Sequence, residues 1–170
     1  MFADEAKFGR ISEPRRCWAP APLRPEAPCQ VVREYIHAFV AVAPHKGILD
    51  SLILPRADAG MMSLFLAEVR RQHPRHFIIM VLDGAGMNSS AHLRVPKNMR
   101  IVLQPPYSPR LNPVEPIWGE VHEKAFPNID AKDLNEIEDR LAEELRNLGK
   151  DRARVRSITG FDWILDIRIQ

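Results

Sequence analysis

The sequence predicts an α/β fold in which a mixed five-stranded sheet is flanked by helices. β-branched, aromatic and small residues from Val31 to Ala43 and apolar residues from Ile48 to Leu54 stand either side of a turn at Pro44-His45-Lys46-Gly47, the pattern of an antiparallel hairpin. Phe77-Ile78-Ile79-Met80-Val81-Leu82 is a continuous apolar run, as expected of a strand buried on both faces. Helical spacings lie between and after these strands, so the later connections are crossovers that place helices on the sheet.

In chain order, the segment holding Asp4 reads as a short first strand. Residues 12–30 carry Pro14, Pro20, Pro22, Pro25 and Pro28 with Arg15, Arg16 and Arg24, a long stiff loop, because each proline fixes its own φ and removes a donor. Asp58 caps a helix with Met61, Leu64, Phe65 and Val69 at helical spacing, and Pro74 lies beyond it. A weak helix over 89–93 and a short strand over 101–103 follow, then a rigid loop over 105–109. Asn112-Pro113 opens the next helix, proline suiting a first-turn position whose N–H is unpaired anyway. Asp130 caps an amphipathic helix with Leu134, Ile137, Leu141, Leu145 and Leu148 on one stripe, ended by Gly149. Residues 1–148 thus form one domain, and 149–170 form a basic tail (Lys150, Arg152, Arg154, Arg156) that packs on it or extends from it.

The chain has 170 residues, room for one compact domain. Its 24 Lys and Arg nearly cancel 22 Asp and Glu, so bulk charge points to no polyanionic partner. The sum hides a partition, with acids on the outer face of the 130–148 helix and bases in the 15–24 loop and the tail. Two cysteines, Cys17 and Cys29, suit neither a disulfide scaffold nor a four-ligand zinc site. No apolar run reaches the roughly 18–20 residues of a membrane span, and Asp4-Glu5 stand where a signal peptide needs base. A soluble, cytoplasmic protein is expected.

Three acids are placed for chemistry. Asp83 ends the central buried strand, the edge at which open α/β sheets hold ligands. Glu115 is in the first turn of the helix opened by Asn112, and Asp4 is on the first strand. Converging carboxylates are hard oxygen donors suited to Mg²⁺ or Mn²⁺. Each also has a bland reading: a capping box for Glu115, turn hydrogen bonds for Asp83, a solvated charge for Asp4.

Longer motifs discriminate. Pro105-Pro106-Tyr107-Ser108-Pro109-Arg110-Leu111-Asn112-Pro113-Val114-Glu115-Pro116-Ile117-Trp118 closely resembles the block around the last acid of mariner-superfamily transposases, in their bacterial insertion-sequence branch. Val81-Leu82-Asp83-Gly84-Ala85-Gly86 is similar to the motif around that family's second acid. Asp4-Glu5-Ala6-Lys7-Phe8-Gly9-Arg10, followed by Arg16-Cys17-Trp18-Ala19-Pro20, resembles the segment around the first. Thirty-one residues separate Asp83 from Glu115, close to the family interval. The resemblance implies an RNase H-like DDE catalytic domain in which Asp4, Asp83 and Glu115 are catalytic and hold two Mg²⁺ (or Mn²⁺) ions. It also implies cleavage of double-stranded DNA at element ends, then joining of the 3′-OH to a TA-containing target, by a homodimer on DNA in the bacterial nucleoid.

The sequence departs from that family pattern. Only Met1, Phe2 and Ala3 precede Asp4, the helix-turn-helix DNA-binding half is absent, and Met87-Asn88 replace an aromatic–histidine pair. A separately encoded helix-turn-helix half is one expectation; an inactive remnant serving as a dimerising or DNA-associating subunit is the alternative. Arg15, Arg16 and Trp18 are candidates for holding DNA, as are Tyr107, Ser108 and Arg110 beside the acids; a solvated loop around a packed Trp18 and simple loop rigidity are the competing readings. Trp118 reads as core. His73 and His76 flank a proline and do not suggest a metal site.

Overall fold

The computed structural model describes residues 1–12, 18–26, 29–84, 86, 88, 90–106 and 108–166. Strands β1 (Phe2–Ile11), β2 (Val31–Ala43), β3 (Ile48–Leu54), β4 (Ile78–Leu82) and β5 (Met99–Leu103) form one sheet in the order β3-β2-β1-β4-β5. β1, β2 and β3 are antiparallel neighbours, while β4 joins β1 and β5 joins β4 in parallel. The sheet is therefore mixed, as the sequence predicts. The helices are α1 (Ala59–Gln72), α2 (Glu115–Ala125), α3 (Leu134–Lys150), α4 (Arg152–Thr159) and α5 (Asp162–Leu165).

Strand alternation builds two apolar layers. Ile36, Ala38, Val40 and Val42 of β2 face Ile117 and Val121 of α2, Leu141, Leu145 and Leu148 of α3, and Val155 of α4. Phe39 and Ala41 point the other way, against Met62, Phe65, Leu66 and Val69 of α1. Truncating Phe39, fully buried on a central strand, leaves a cavity under α1. Phe39→Ala is expected to lower the unfolding free energy by about 3–5 kcal/mol in a urea titration.

β4 departs from the expectation of burial on both faces. Ile78, Met80 and Leu82 are buried beneath α1, but Ile79 is 55% exposed, because α3 lies over β1, β2 and β3 rather than over β4. The short helix expected at 89–93 is absent from the described residues of that stretch. Ser90 Oγ instead accepts from the His92 N–H at 3.2 Å, a local bond that competes with helix formation. Asp133, not Asp130, caps α3: its Oδ1 accepts from Glu136 N, and Glu136 Oε2 accepts in return from Lys132 N, a capping box shifted by one residue. Gly149 does not end that helix, which continues to Lys150; Asp151 then caps α4 through Arg154 N at 2.9 Å. Asn112 also lies ahead of its helix, which starts at Glu115.

The tail residues pack. Val155 and Thr159 of α4 are fully buried, and Arg154 bonds both Glu120 carboxylate oxygens on α2 at 2.7 and 2.8 Å. The turn between β2 and β3 needs its glycine: Gly47 has φ 60°, and a Cβ there would collide with the Arg152 carbonyl.

Candidate active site

The register of β1 with β4 pairs Phe2 with Val81. Two residues further along each chain stand Asp4 and Asp83, level on adjoining strands, with Asp83 just past the carboxyl end of β4. Met1 continues the ladder by donating its amine to Ile79 O (2.7 Å) and accepting from Val81 N (2.8 Å).

Asp4 shares a strand face with Phe2, Ala6 and Phe8 and so faces the α2 layer. Its Oδ2 accepts from Asn112 Nδ2 at 3.0 Å and Trp118 Nε1 at 3.2 Å, and its Oδ1 accepts from Glu5 N at 2.9 Å. Trp118 is three residues after Glu115, so the same face of α2 that meets Asp4 carries Glu115 one turn earlier. The Trp118 ring also sits edge-on to Phe8, with centroids 6.0 Å apart. Asn112 is 3% exposed and bonds at both ends, its Oδ1 accepting from Val114 N at 3.1 Å. Glu115 is exposed at the first position of α2, and its carboxylate makes no capping-box bond among the described residues. Asp83 Oδ1 accepts from Asn88 Nδ2 at 2.7 Å; Asn88 is buried, and its Oδ1 has no partner among the described residues.

Like charges and burial make this corner expensive to ionise. Burial pushes the Asp4 carboxyl up to about 6; the Glu115 and Asp83 charges push the same way, against the Trp118 and Glu5 N–H bonds. Burial likewise pushes Glu5 up to about 7, helped by Asp4 and Asp83. Among the described residues no three His, Cys, Asp or Glu side chains stand at metal-ligand spacing.

The other sequence candidates are scattered. Trp18 is fully exposed, so the packed-tryptophan reading does not hold. Ser108 Oγ donates to Pro106 O at 3.2 Å, stiffening its loop, and Arg110 is exposed in a short 3₁₀ turn. Arg15, Arg16 and Tyr107 lie outside the described residues. Sequence reasoning missed Asn88, Asn112 and Trp118 as partners of the acids. The Met87-Asn88 departure was the signal for the first, and nothing local marked the other two.

The sequence profile of the DDE superfamily endonucleases matches residues 1–138. The chain belongs to that family. It is an enzyme of the DDE type, as its motifs imply. A relative from Sinorhizobium fredii (strain NBRC 101917 / NGR234), Uncharacterized protein y4pE/y4sA, is 36% identical over 104 residues, covering 61% of this chain and 77% of that one. Among solved structures, the Mos1 Strand Transfer Complex matches with TM-score 0.62 at 15% identity, and the Mos1 paired-end complex with left transposon end with 0.60 at 12%. The catalytic domain of Mos1 mariner transposase matches with 0.51 at 11%. Each match covers 94% of this DDE chain, which spans 53%, 55% and 81% of those chains respectively, so it has about half the length of the first two. At such identities the likeness is one of fold, the RNase H-like sheet expected above. No helix among the described residues is long and apolar enough to cross a membrane.

Proposed function

We propose that this DDE domain is the catalytic part of an insertion-sequence transposase. In this reading it hydrolyses phosphodiesters at element ends and transfers the freed 3′-OH into a TA-containing target, as a homodimer on double-stranded DNA with a helix-turn-helix half supplied separately. The observation that carries it is the approach of Asp4, Asp83 and Glu115 from two parallel strands and a helix, close enough for Glu115 and Asp83 both to disfavour the Asp4 charge. Solved relatives add support: Mos1 paired-end complexes were crystallised with Mn and with Mg.

The donor set fits such ions. It is all oxygen, its members repel one another, and neither Asp4 nor Glu115 is neutralised by a Lys or Arg among the described residues. Asp83 would be the shared ligand, and Asp4 and Glu115 would each complete one site. Two divalent ions, when bound, stabilise both the attacking and the leaving oxygen of an in-line displacement. The chain's own residues orient that set: Asn112 and Trp118 hold Asp4, and Asn88 holds Asp83.

Metal binding is measurable without activity. Asp4 and Glu5 have raised pKa values, so the metal-free native state holds protons that the unfolded state has released. Their contribution to stability is complete below about pH 4 and is lost as pH rises through about 6 and 7. Saturating Mn²⁺ is therefore expected to raise Tm clearly at pH 8 and little at pH 5, where it competes with those protons. No Mn²⁺-dependent shift at pH 8 would favour the inactive-remnant reading.

A further inference from the structure

A second feature lies on the α1 side of the sheet. The outer stripe of α1 presents small residues, Ser63 and Ala67, then Arg70, to the segment that leads into β5. Between them runs an open groove of about 730 Å³, with His92, Arg94 and Lys97 on its other wall. Its walls are tied together: Ser63 Oγ accepts from Arg94 N at 2.9 Å while donating to Ala59 O at 2.6 Å. That bond uses the Arg94 backbone and leaves its guanidinium exposed.

The charge in this groove is unbalanced. No carboxylate lines it, and Arg70, Arg94 and Lys97 make no ion pair among the described residues. The nearest acid along the helix, Glu68, is already held by Arg71 at 2.7 and 2.8 Å and by Gln72 at 3.0 Å. A chain whose formal charge is only +2 thus gathers three permanent cations on one groove. Elsewhere among the described residues six Arg and Lys side chains make ion pairs, Arg10 with Glu34, Arg56 with Asp58, Arg71 with Glu68, Arg140 with Glu136, and Arg154 and Lys124 with Glu120. The basic wall begins at His92, nine residues after Asp83 in the chain.

We propose that this groove holds the sugar–phosphate backbone of the DNA that flanks the phosphodiester presented to Asp4, Asp83 and Glu115. The proposal rests on the DNA-cleaving reading above and adds where the duplex is gripped. Guanidinium forks and an ammonium in an acid-free groove match phosphate oxygens and carry no sequence information, so they position the strand rather than select it.

The test is fluorescence anisotropy of the full chain with a labelled duplex, in Ca²⁺, across a range of salt concentrations. The triple variant Arg70→Ala/Arg94→Ala/Lys97→Ala should bind roughly 10- to 100-fold more weakly. Its plot of log Kd against log salt should be shallower by about 2–3, near 0.9 for each phosphate that is no longer neutralised. The Ser63–Arg94 backbone bond survives these changes, and an unshifted Tm confirms the fold. The lysine variant Arg70→Lys/Arg94→Lys should keep most of the slope. Unchanged affinity and slope in the triple variant overturn the proposal. So does a wild-type chain that ignores DNA but binds poly-glutamate through these residues, which would mark the groove as a seat for an acidic protein. Asp83→Ala separates the two readings: wild-type cleavage in that variant sinks the carboxylate assignment and leaves the salt slope standing.

Discussion

Asp83→Asn is expected to lose Mg²⁺-dependent nicking of an element-end duplex by about 10³-fold or more, several kcal/mol of transition-state stabilisation. The substitution is chosen because it removes charge and little else. The new side-chain oxygen still accepts from Asn88 Nδ2, so the buried Asn88 keeps its donor paired. Removing the Asp83 charge also relieves Asp4 and Glu5, whose carboxyls it pushes upward. The metal-free variant should therefore be no less stable than wild type at pH 8, and its Mn²⁺-induced rise in Tm should shrink. Activity falling while the metal-free protein holds its Tm identifies the charge of Asp83 as the functional property. A variant that nicks at the wild-type rate rules out the assignment.

Asn112→Ala and Trp118→Phe should each weaken metal binding about 10- to 100-fold without removing a ligand, the usual cost of losing a group that orients one. Both side chains donate to Asp4 Oδ2, and hydrogen bonds to the ionised form oppose the burial and repulsion that raise its pKa. With the Trp118 bond gone, the Asp4 carboxyl should rise further. Metal must then displace a more tightly held proton, so half-maximal Mn²⁺ binding should move to higher pH. Trp118→Phe keeps a ring in contact with Phe8, which separates the lost N–H from lost packing. Calorimetric titrations from pH 6 to pH 8 read both the affinity and its pH dependence; parallel loss at every pH in Trp118→Phe would reduce that residue to packing.

Local signals hold where one interaction satisfies them. Asp58 caps α1 through a bond to Met61 N at 2.9 Å, and the alternation of β2 sets which residues meet which layer. Motif resemblance also points to Asp4, Asp83 and Glu115; the sheet register sets Asp4 level with Asp83, and α2 begins at Glu115. Local signals mislead where one residue serves two partners. Asn112 has the chemistry of a cap, and its carbonyl oxygens do serve the turn before α2, but its amide N–H belongs to Asp4, 108 residues away. Trp118 is core by its ring and part of the site by its N–H, and no periodicity distinguishes the two.

Residue patterning alone pointed to the mixed sheet and the hairpin, and motif resemblance to the DDE family, because these depend on near neighbours along the chain. The tertiary structure decided what Ala131 does: its carbonyl is held by Arg10 and Gln30, 121 and 101 residues away along the chain, while α3 starts at Leu134 behind its Asp133 cap. It alone left one face of β4 uncovered and set three cations along a groove without an acid. Such outcomes depend on partners roughly a hundred residues distant, whose bonds and charges outweigh preferences worth about 1 kcal/mol or less per residue.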